Sequence, residues 1–290
     1  MKKPLFTGVC TALVTPFLDG KVNYPMMEML LRRQLDAGVK AVVIAGTTGE
    51  APTLSDHEKL ELFRRAKEYV GSSMLIIAGT GSNSTEHAVS LSEAAEDAGA
   101  DALLVVSPYY NKATADGLLA HYGAICRSVS IPVIVYNVPS RTGLDIPVSV
   151  YKRLSALPNI AGVKEASTDI TKITRIRAQC GDPFPVWCGN DDLITPAIAL
   201  GAKGVISVVS NVCPEKTRYM AEAALDGDFD TAAALQCKLQ PLIGALFSEV
   251  NPIPVKQAMA MIGCDCGDCR LPLTAMREEN RRKLEALLLK

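Results

Sequence analysis

Between Gly8 and Asn211 the chain alternates short apolar, β-branched runs with amphipathic segments, and the number of those runs most restricts its fold. They cover residues 8–14, 41–45, 74–78, 102–106, 133–136, 161–164, 185–188 and 204–208. Runs apolar throughout suit strands buried on both faces, and strand–helix alternation builds a parallel sheet because each helix supplies the crossover. Eight such units close on themselves, so the expected fold is an α/β (β/α)8 TIM barrel. Helix punctuation supports this. Ser55 and Glu58 form a capping box ahead of a helix that Gly71 ends, Asn23 and Pro25 open one that stops at Gly38, and Ser84 opens one that stops at Gly99. After Cys213 the strand signal is lost, and helices are expected over residues 215–225, 229–250, 253–261 and 274–289. The turn-rich stretch 226–228 divides a catalytic barrel, residues 1–225, from a C-terminal helical extension, residues 226–290, packed on it.

Charge and composition narrow the partners. A formal net charge of -1 over 290 residues provides no field to gather nucleic acid or an anionic membrane, which favours a small-molecule partner. The apolar runs fall well short of the ~20 residues that span a bilayer. Residues 1–16 are broken by Pro4, Gly8 and Pro16 and lack the continuous apolar stretch of a signal peptide, so the expected location is cytoplasmic. The nine cysteines imply reduced thiols rather than a disulfide framework. Cys264, Cys266 and Cys269 lie close together but lack a fourth ligand, and are expected to be oxidation-sensitive thiols of a surface loop. The three histidines, His57, His87 and His121, fall on expected helices rather than strand ends, so no metal site is expected.

In a barrel of this kind the chemistry gathers at the C-terminal ends of the strands. There the sequence places Gly46-Thr47-Thr48-Gly49-Glu50, Gly79-Thr80-Gly81, Pro108-Tyr109-Tyr110-Asn111 and the stretch 137–143. Lys164 ends an apolar run, where burial favours the neutral amine that attacks carbonyls; the competing assignment is an ion pair with Glu165. Strand alternation opposes that pair, because neighbouring residues point to opposite faces. Tyr136, also at a strand end, suits proton relay or a plain core position. Arg141 suits bidentate recognition of a carboxylate or an exposed loop. The glycine-rich loops lack a full phosphate-binding fingerprint, and Thr47 and Thr48 suit a small carboxylate better than a pyrophosphate.

Six ordered motifs then resemble one family across nearly the whole chain: GTTGE at Gly46, PYYN at Pro108, YNVPSRTG at Tyr136, GVKEAS at Gly162, GND at Gly189 and NPIPVK at Asn251. The chain resembles the dihydrodipicolinate synthase family of pyruvate-dependent class I aldolases. The resemblance implies an imine between Lys164 and pyruvate, a carboxylate held by Thr48 and the Thr47 amide, and a relay of Tyr136, Thr47 and Tyr110, with Tyr110 supplied by a neighbouring subunit. It further implies that the backbones of Gly189 and Ile206 line the site and that Arg141 holds L-aspartate 4-semialdehyde. No cofactor is implied, and the expected assembly is a homotetramer built as a dimer of dimers.

The related N-acetylneuraminate lyases generally lack an arginine in the stretch 139–143, so Arg141 favours the synthase over that alternative; another pyruvate-dependent class I aldolase is the other alternative. A ligand-binding scaffold without turnover is disfavoured by the intact Lys164, Tyr136 and Thr47 set. Lysine-inhibited members of the family carry histidine and glutamate where this chain has Lys59 and His87, so weak or absent feedback inhibition by lysine is expected.

Overall fold

The computed structural model describes residues 3–288. Eight parallel strands, β1 (Gly8–Ala12), β2 (Ala41–Ile44), β3 (Leu75–Gly79), β4 (Ala102–Val106), β5 (Val133–Asn137), β6 (Ile160–Glu165), β7 (Val186–Cys188) and β8 (Gly204–Ser207), form one closed barrel in chain order. The seam between β8 and β1 pairs Gly204 with Gly8. Gly204 adopts φ +145°, and a Cβ there would stand 1.9 Å from the Gly8 oxygen, so closure at this point requires glycine. A short hairpin, Phe17–Leu18 against Lys21–Val22, follows β1.

The strands are wrapped by α1 (Tyr24–Asp36), α2 (Asp56–Val70), α3 (Thr85–Asp97), α4 (Ala115–Ser128), α5 (Val148–Leu154), α6 (Thr171–Cys180), α7 (Ile194–Ala199) and α8 (Pro214–Leu225). Asn23, Ser55 and Ser84 cap α1, α2 and α3, and Ser55 and Glu58 complete the expected capping box. Two cores result. One lies between barrel and helices, and the other fills the barrel with Cys10, Ile77, Ile134, Tyr136, Trp187 and Ile206 among others. Trp187 stacks on Phe6 with ring centroids 4.9 Å apart and donates to the Phe6 oxygen at 3.1 Å, so the interior is a packed plug rather than a channel.

One irregularity decides where the candidate nucleophile points. On β6, Ile160 and Val163 both belong to the outer core, an odd spacing that strict alternation forbids. The register explains it: Val133 pairs with Ile160 but Ile134 pairs with Gly162, so β6 carries an extra residue. Gly162 accommodates this bulge at φ +151°, where a Cβ would meet the Pro185 oxygen at 2.2 Å. The bulge shifts the phase of the strand, turning Lys164 inward beside Tyr136 and Glu165 outward toward the helices.

The extension consists of α9 (Phe229–Leu246), α10 (Ile253–Met261) and α11 (Glu278–Leu288). It departs from expectation at two ends. Helix α9 stops at Leu246 rather than 250, leaving Glu249 in a loop whose carboxylate accepts the Arg277 amide at 3.0 Å and Asn280 Nδ2 at 2.8 Å. That distant carboxylate serves the start of α11, which opens at Glu278 and not at 274; residue 289 lies outside the described residues. The cysteine run is also not a surface loop of exposed thiols. Cys266 is fully buried, and Cys264 and Cys269 are half-buried. Burial pushes the Cys266 and Cys269 thiols up to about 12, leaving little thiolate to oxidise. Among the described residues no three His, Cys, Asp or Glu side chains are grouped as metal ligands, and no helix is long and apolar enough to cross a membrane.

Candidate active site

A cavity of about 610 Å³ opens at the C-terminal ends of the strands, with Gly46, Thr47, Gly79, Gly81, Tyr136 and Arg141 in its wall. Of the sequence candidates, Thr47, Tyr136 and Arg141 therefore share one space. Lys164 and Thr48 do not line it; both are buried, at 5% and 2% exposure. The Lys164 amine lies 4.3 Å from the centre of the Tyr136 ring, a contact set by the pairing of these two residues across β5 and β6. Gly189 packs on the lysine stem, since a Cβ there would stand 3.1 Å from Lys164 Cε. Ile206 lies on β8, fully buried within the barrel. Tyr110 is the candidate that the chain does not bring in: it is 88% exposed, at φ +73°, and absent from the cavity wall, whereas Tyr109 is part of that wall.

Four lysines are buried among the described residues: Lys59, Lys164, Lys172 and Lys256. Lys59 pairs with Asp56 at 3.3 Å, Lys256 with Glu50 at 3.0 Å, and Lys172 with Asp145 and, at 3.7 Å, Glu165. Lys164 has no carboxylate within ion-pair distance among the described residues, and its amine faces the Tyr136 ring. Glu165 is committed elsewhere, accepting from Asn137 Nδ2 at 2.8 Å and Tyr151 Oη at 3.1 Å. The alternation argument against a Lys164–Glu165 pair therefore holds. Nor do the neighbouring thiols compete as nucleophiles: burial pushes Cys188 up to about 12 and raises Cys10 as well, so both stay protonated at pH 7.

Several residues escaped sequence reasoning. Asp191, in the GND motif, is 2% exposed; Oδ2 accepts the amides of Val208 and Val209 at 2.9 and 2.7 Å, while Oδ1 is buried without a hydrogen bond. Burial raises its carboxyl above its ordinary value against the pull of the Ser207 hydroxyl, those two amides and the nearby Lys164. Glu50, at φ +57° in GTTGE, accepts from Lys256 and from the Arg270 amide at 2.9 Å, so this loop is fastened to the extension. Asn251, in NPIPVK, donates to Thr48 Oγ1 at 3.0 Å. Motif membership was their only local signal, because each makes its decisive contact with a residue remote in sequence.

The wall of the same cavity continues through Asp56, Lys59, Ser82, His87 and Tyr109, the region where inhibitor binding was considered from sequence. Asp56 is already engaged there by Lys59 and, at 2.8 Å, by His87. Burial works against ionisation of its carboxyl, but these two partners together bring it below its ordinary value.

With this geometry in view, the similarities to known proteins agree. The model of the dihydrodipicolinate synthetase family matches residues 5–290. A 4-hydroxy-tetrahydrodipicolinate synthase of Caldicellulosiruptor saccharolyticus is 48% identical over 287 residues, covering 99% of this chain and 97% of its own. The crystal structure of dihydrodipicolinate synthase from Aquifex aeolicus superposes with a TM-score of 0.96 at 43% identity, covering 98% of this chain and 97% of the other. A monomeric dihydrodipicolinate synthase variant superposes equally well, with a TM-score of 0.96, at 41% identity and with 98% and 96% covered. With a buried lysine near the C-terminal end of a strand of a (β/α)8 barrel and a match along almost the full chain, this chain belongs to the dihydrodipicolinate synthetase family.

Proposed function

We propose that the chain is a lyase condensing pyruvate with L-aspartate 4-semialdehyde to 4-hydroxy-tetrahydrodipicolinate, the reaction for which its relatives are named, on the way to diaminopimelate and lysine. The observation that carries this reading is the buried Lys164 beside Tyr136, which forms no ion pair among the described residues. The Lys164 amine adds to the pyruvate C2 carbonyl and water leaves, giving the imine. Loss of a C3 proton gives the enamine, whose C3 attacks the aldehyde. The substrate's own amine then adds to C2 and displaces Lys164 as the ring closes.

In this reading Tyr136 and Thr47 relay protons, joined by Tyr110 of a second copy, whose exposure leaves it free to reach another subunit. Thr48 and the Thr47 amide hold the pyruvate carboxylate, Arg141 holds that of the semialdehyde, and Gly189 and Ile206 contribute backbone to the site. The assembly is a homotetramer built as a dimer of dimers; because a similar structure is that of a monomeric variant, sedimentation in solution is its direct test. Residues 1–225 form the catalytic barrel and 226–290 the extension. The location is cytoplasmic, in keeping with nine cysteines that the sequence reads as reduced thiols. Lysine at sub-millimolar concentration inhibits turnover weakly or not at all, because Lys59 repels its ammonium and Asp56 is already shared by Lys59 and His87; marked inhibition in that range would refute this part.

Condensation in a mixture of purified protein, pyruvate and aspartate semialdehyde, coupled to the reductase that consumes the product, is read as nicotinamide oxidation. Turnover supports the reading. No turnover, from protein that still forms a reducible pyruvate imine, would reassign the second substrate to another aldehyde.

A further inference from the structure

The two side chains proposed to grip carboxylates, Thr48 and Arg141, follow different strands, and one residue of the extension touches both. Asn251 is 5% exposed. Its Nδ2 donates to Thr48 Oγ1 at 3.0 Å, while its main-chain oxygen accepts from Arg141 Nη2 at 3.3 Å. It directly precedes the segment that the buried Lys256–Glu50 pair ties, through α10, to the loop that carries Thr47 and Thr48.

A hydroxyl has one proton and two lone pairs. At Thr48 one lone pair is filled by the Asn251 amide, and Oγ1 makes no other hydrogen bond among the described residues. Its proton is therefore left to donate, which is what recognition of an anion needs. We infer that Asn251 is a positioning residue that aims the Thr48 hydroxyl proton at the pyruvate carboxylate; this rests on the reaction proposed above. The two contacts are also separable. Arg141 is held by the main chain of Asn251, so a change of side chain acts on the pyruvate grip and spares the semialdehyde grip. The opposite amide orientation would have Asn251 Oδ1, at present buried without a partner, accept the Thr48 proton and withdraw it from substrate. The two orientations make opposite forecasts for an aspartate at this position.

The test is initial-rate kinetics in both substrates, with thermal unfolding, for Asn251→Ala, Asn251→Asp, Thr48→Val and the Asn251→Ala/Thr48→Val double variant. Loss of one neutral hydrogen bond corresponds to a rise of roughly three- to tenfold in the pyruvate KM for Asn251→Ala, with the semialdehyde KM unchanged. Asn251→Asp keeps the shape but takes the Thr48 proton, so its pyruvate KM rises further. In the Thr48→Val background Asn251→Ala adds nothing. An Asn251→Asp enzyme with wild-type pyruvate KM would overturn the inference in favour of the opposite orientation. So would an unchanged pyruvate KM in Asn251→Ala, or a parallel rise in both KM values with a lowered melting temperature, the mark of a merely structural side chain. If the wild-type protein forms no pyruvate imine, the reaction itself fails and takes the inference with it.

Discussion

Lys164 and Lys172 lie close in sequence and are almost equally dry, at 5% and 3% exposure, yet they belong to opposite layers of the barrel. Lys172, on α6, sits outside the sheet with Asp145 and Glu165 around its ammonium. Lys164, on β6, sits inside with the Tyr136 ring against it and no carboxylate within ion-pair distance among the described residues, Asp191 acting on it only from farther off. Burial alone does not separate a nucleophile from a structural cation; the partners do. A lysine with a buried counter-charge is committed to it, whereas an amine without one is available to a carbonyl. The single-residue bulge at Gly162 decides which layer Lys164 joins.

The sharpest way to break this comparison is to delete each amine in turn. Lys164→Ala should lower turnover by roughly 10⁴-fold or more, as loss of a covalent nucleophile does, while leaving a cooperative unfolding transition. Substantial residual turnover would mean that the chemistry runs through another group. Lys172→Met should do the reverse. Leaving Glu165 buried without its cation costs about 3–5 kcal/mol in urea unfolding, with pyruvate imine formation retained by the folded fraction. A stable Lys172→Met protein unable to form the imine would contradict the division of roles.

Arg141→Ala sharpens the contrast within the mouth itself. Loss of a charge-assisted hydrogen bond to substrate should lower kcat/KM for the semialdehyde by roughly 10- to 100-fold and leave imine formation nearly intact. Equal damage to both steps would remove Arg141 from the semialdehyde role.

The smallest effect is a titration at the junction of barrel and extension. Hydrogen bonds from Arg270 hold the Glu58 carboxyl down to about 2 against an ordinary value of 4.5. A depressed folded value stabilises the fold above about pH 4.5 and loses that contribution as pH falls toward 2. Glu58 is partly exposed, so solvent screening keeps the contribution modest. Acid unfolding of Glu58→Gln should consequently show a shallower pH dependence across that window than wild type; identical slopes would show that the pair does not stabilise the junction.

Much of this was readable in the chain, for physical reasons. Strands buried on both faces must be apolar throughout, so all eight stood out, and the caps at Asn23, Ser55 and Ser84 are satisfied within their own turns. That Glu165 would face the helices followed from alternation and held, although the bulge that sets the phase shows only as a glycine in the sequence. What remained hidden depends on distant partners. Asn251 meets Thr48 across 203 residues, and Lys256 meets Glu50 across 206, so no local pattern announces either contact. The start of α11 was misplaced for the same reason, because the carboxylate that serves it comes from Glu249. Cys266, expected in a surface loop, is buried instead because its segment meets the hairpin after β1, its main-chain oxygen accepting the Phe17 amide at 2.9 Å.

Lys164, and no other lysine, is expected to form a covalent adduct with pyruvate. Incubation of the wild-type protein with pyruvate and borohydride, followed by peptide mass spectrometry, tests it directly. One reduced pyruvate adduct per chain is expected, on Lys164. No adduct, or an adduct on another lysine, would contradict it.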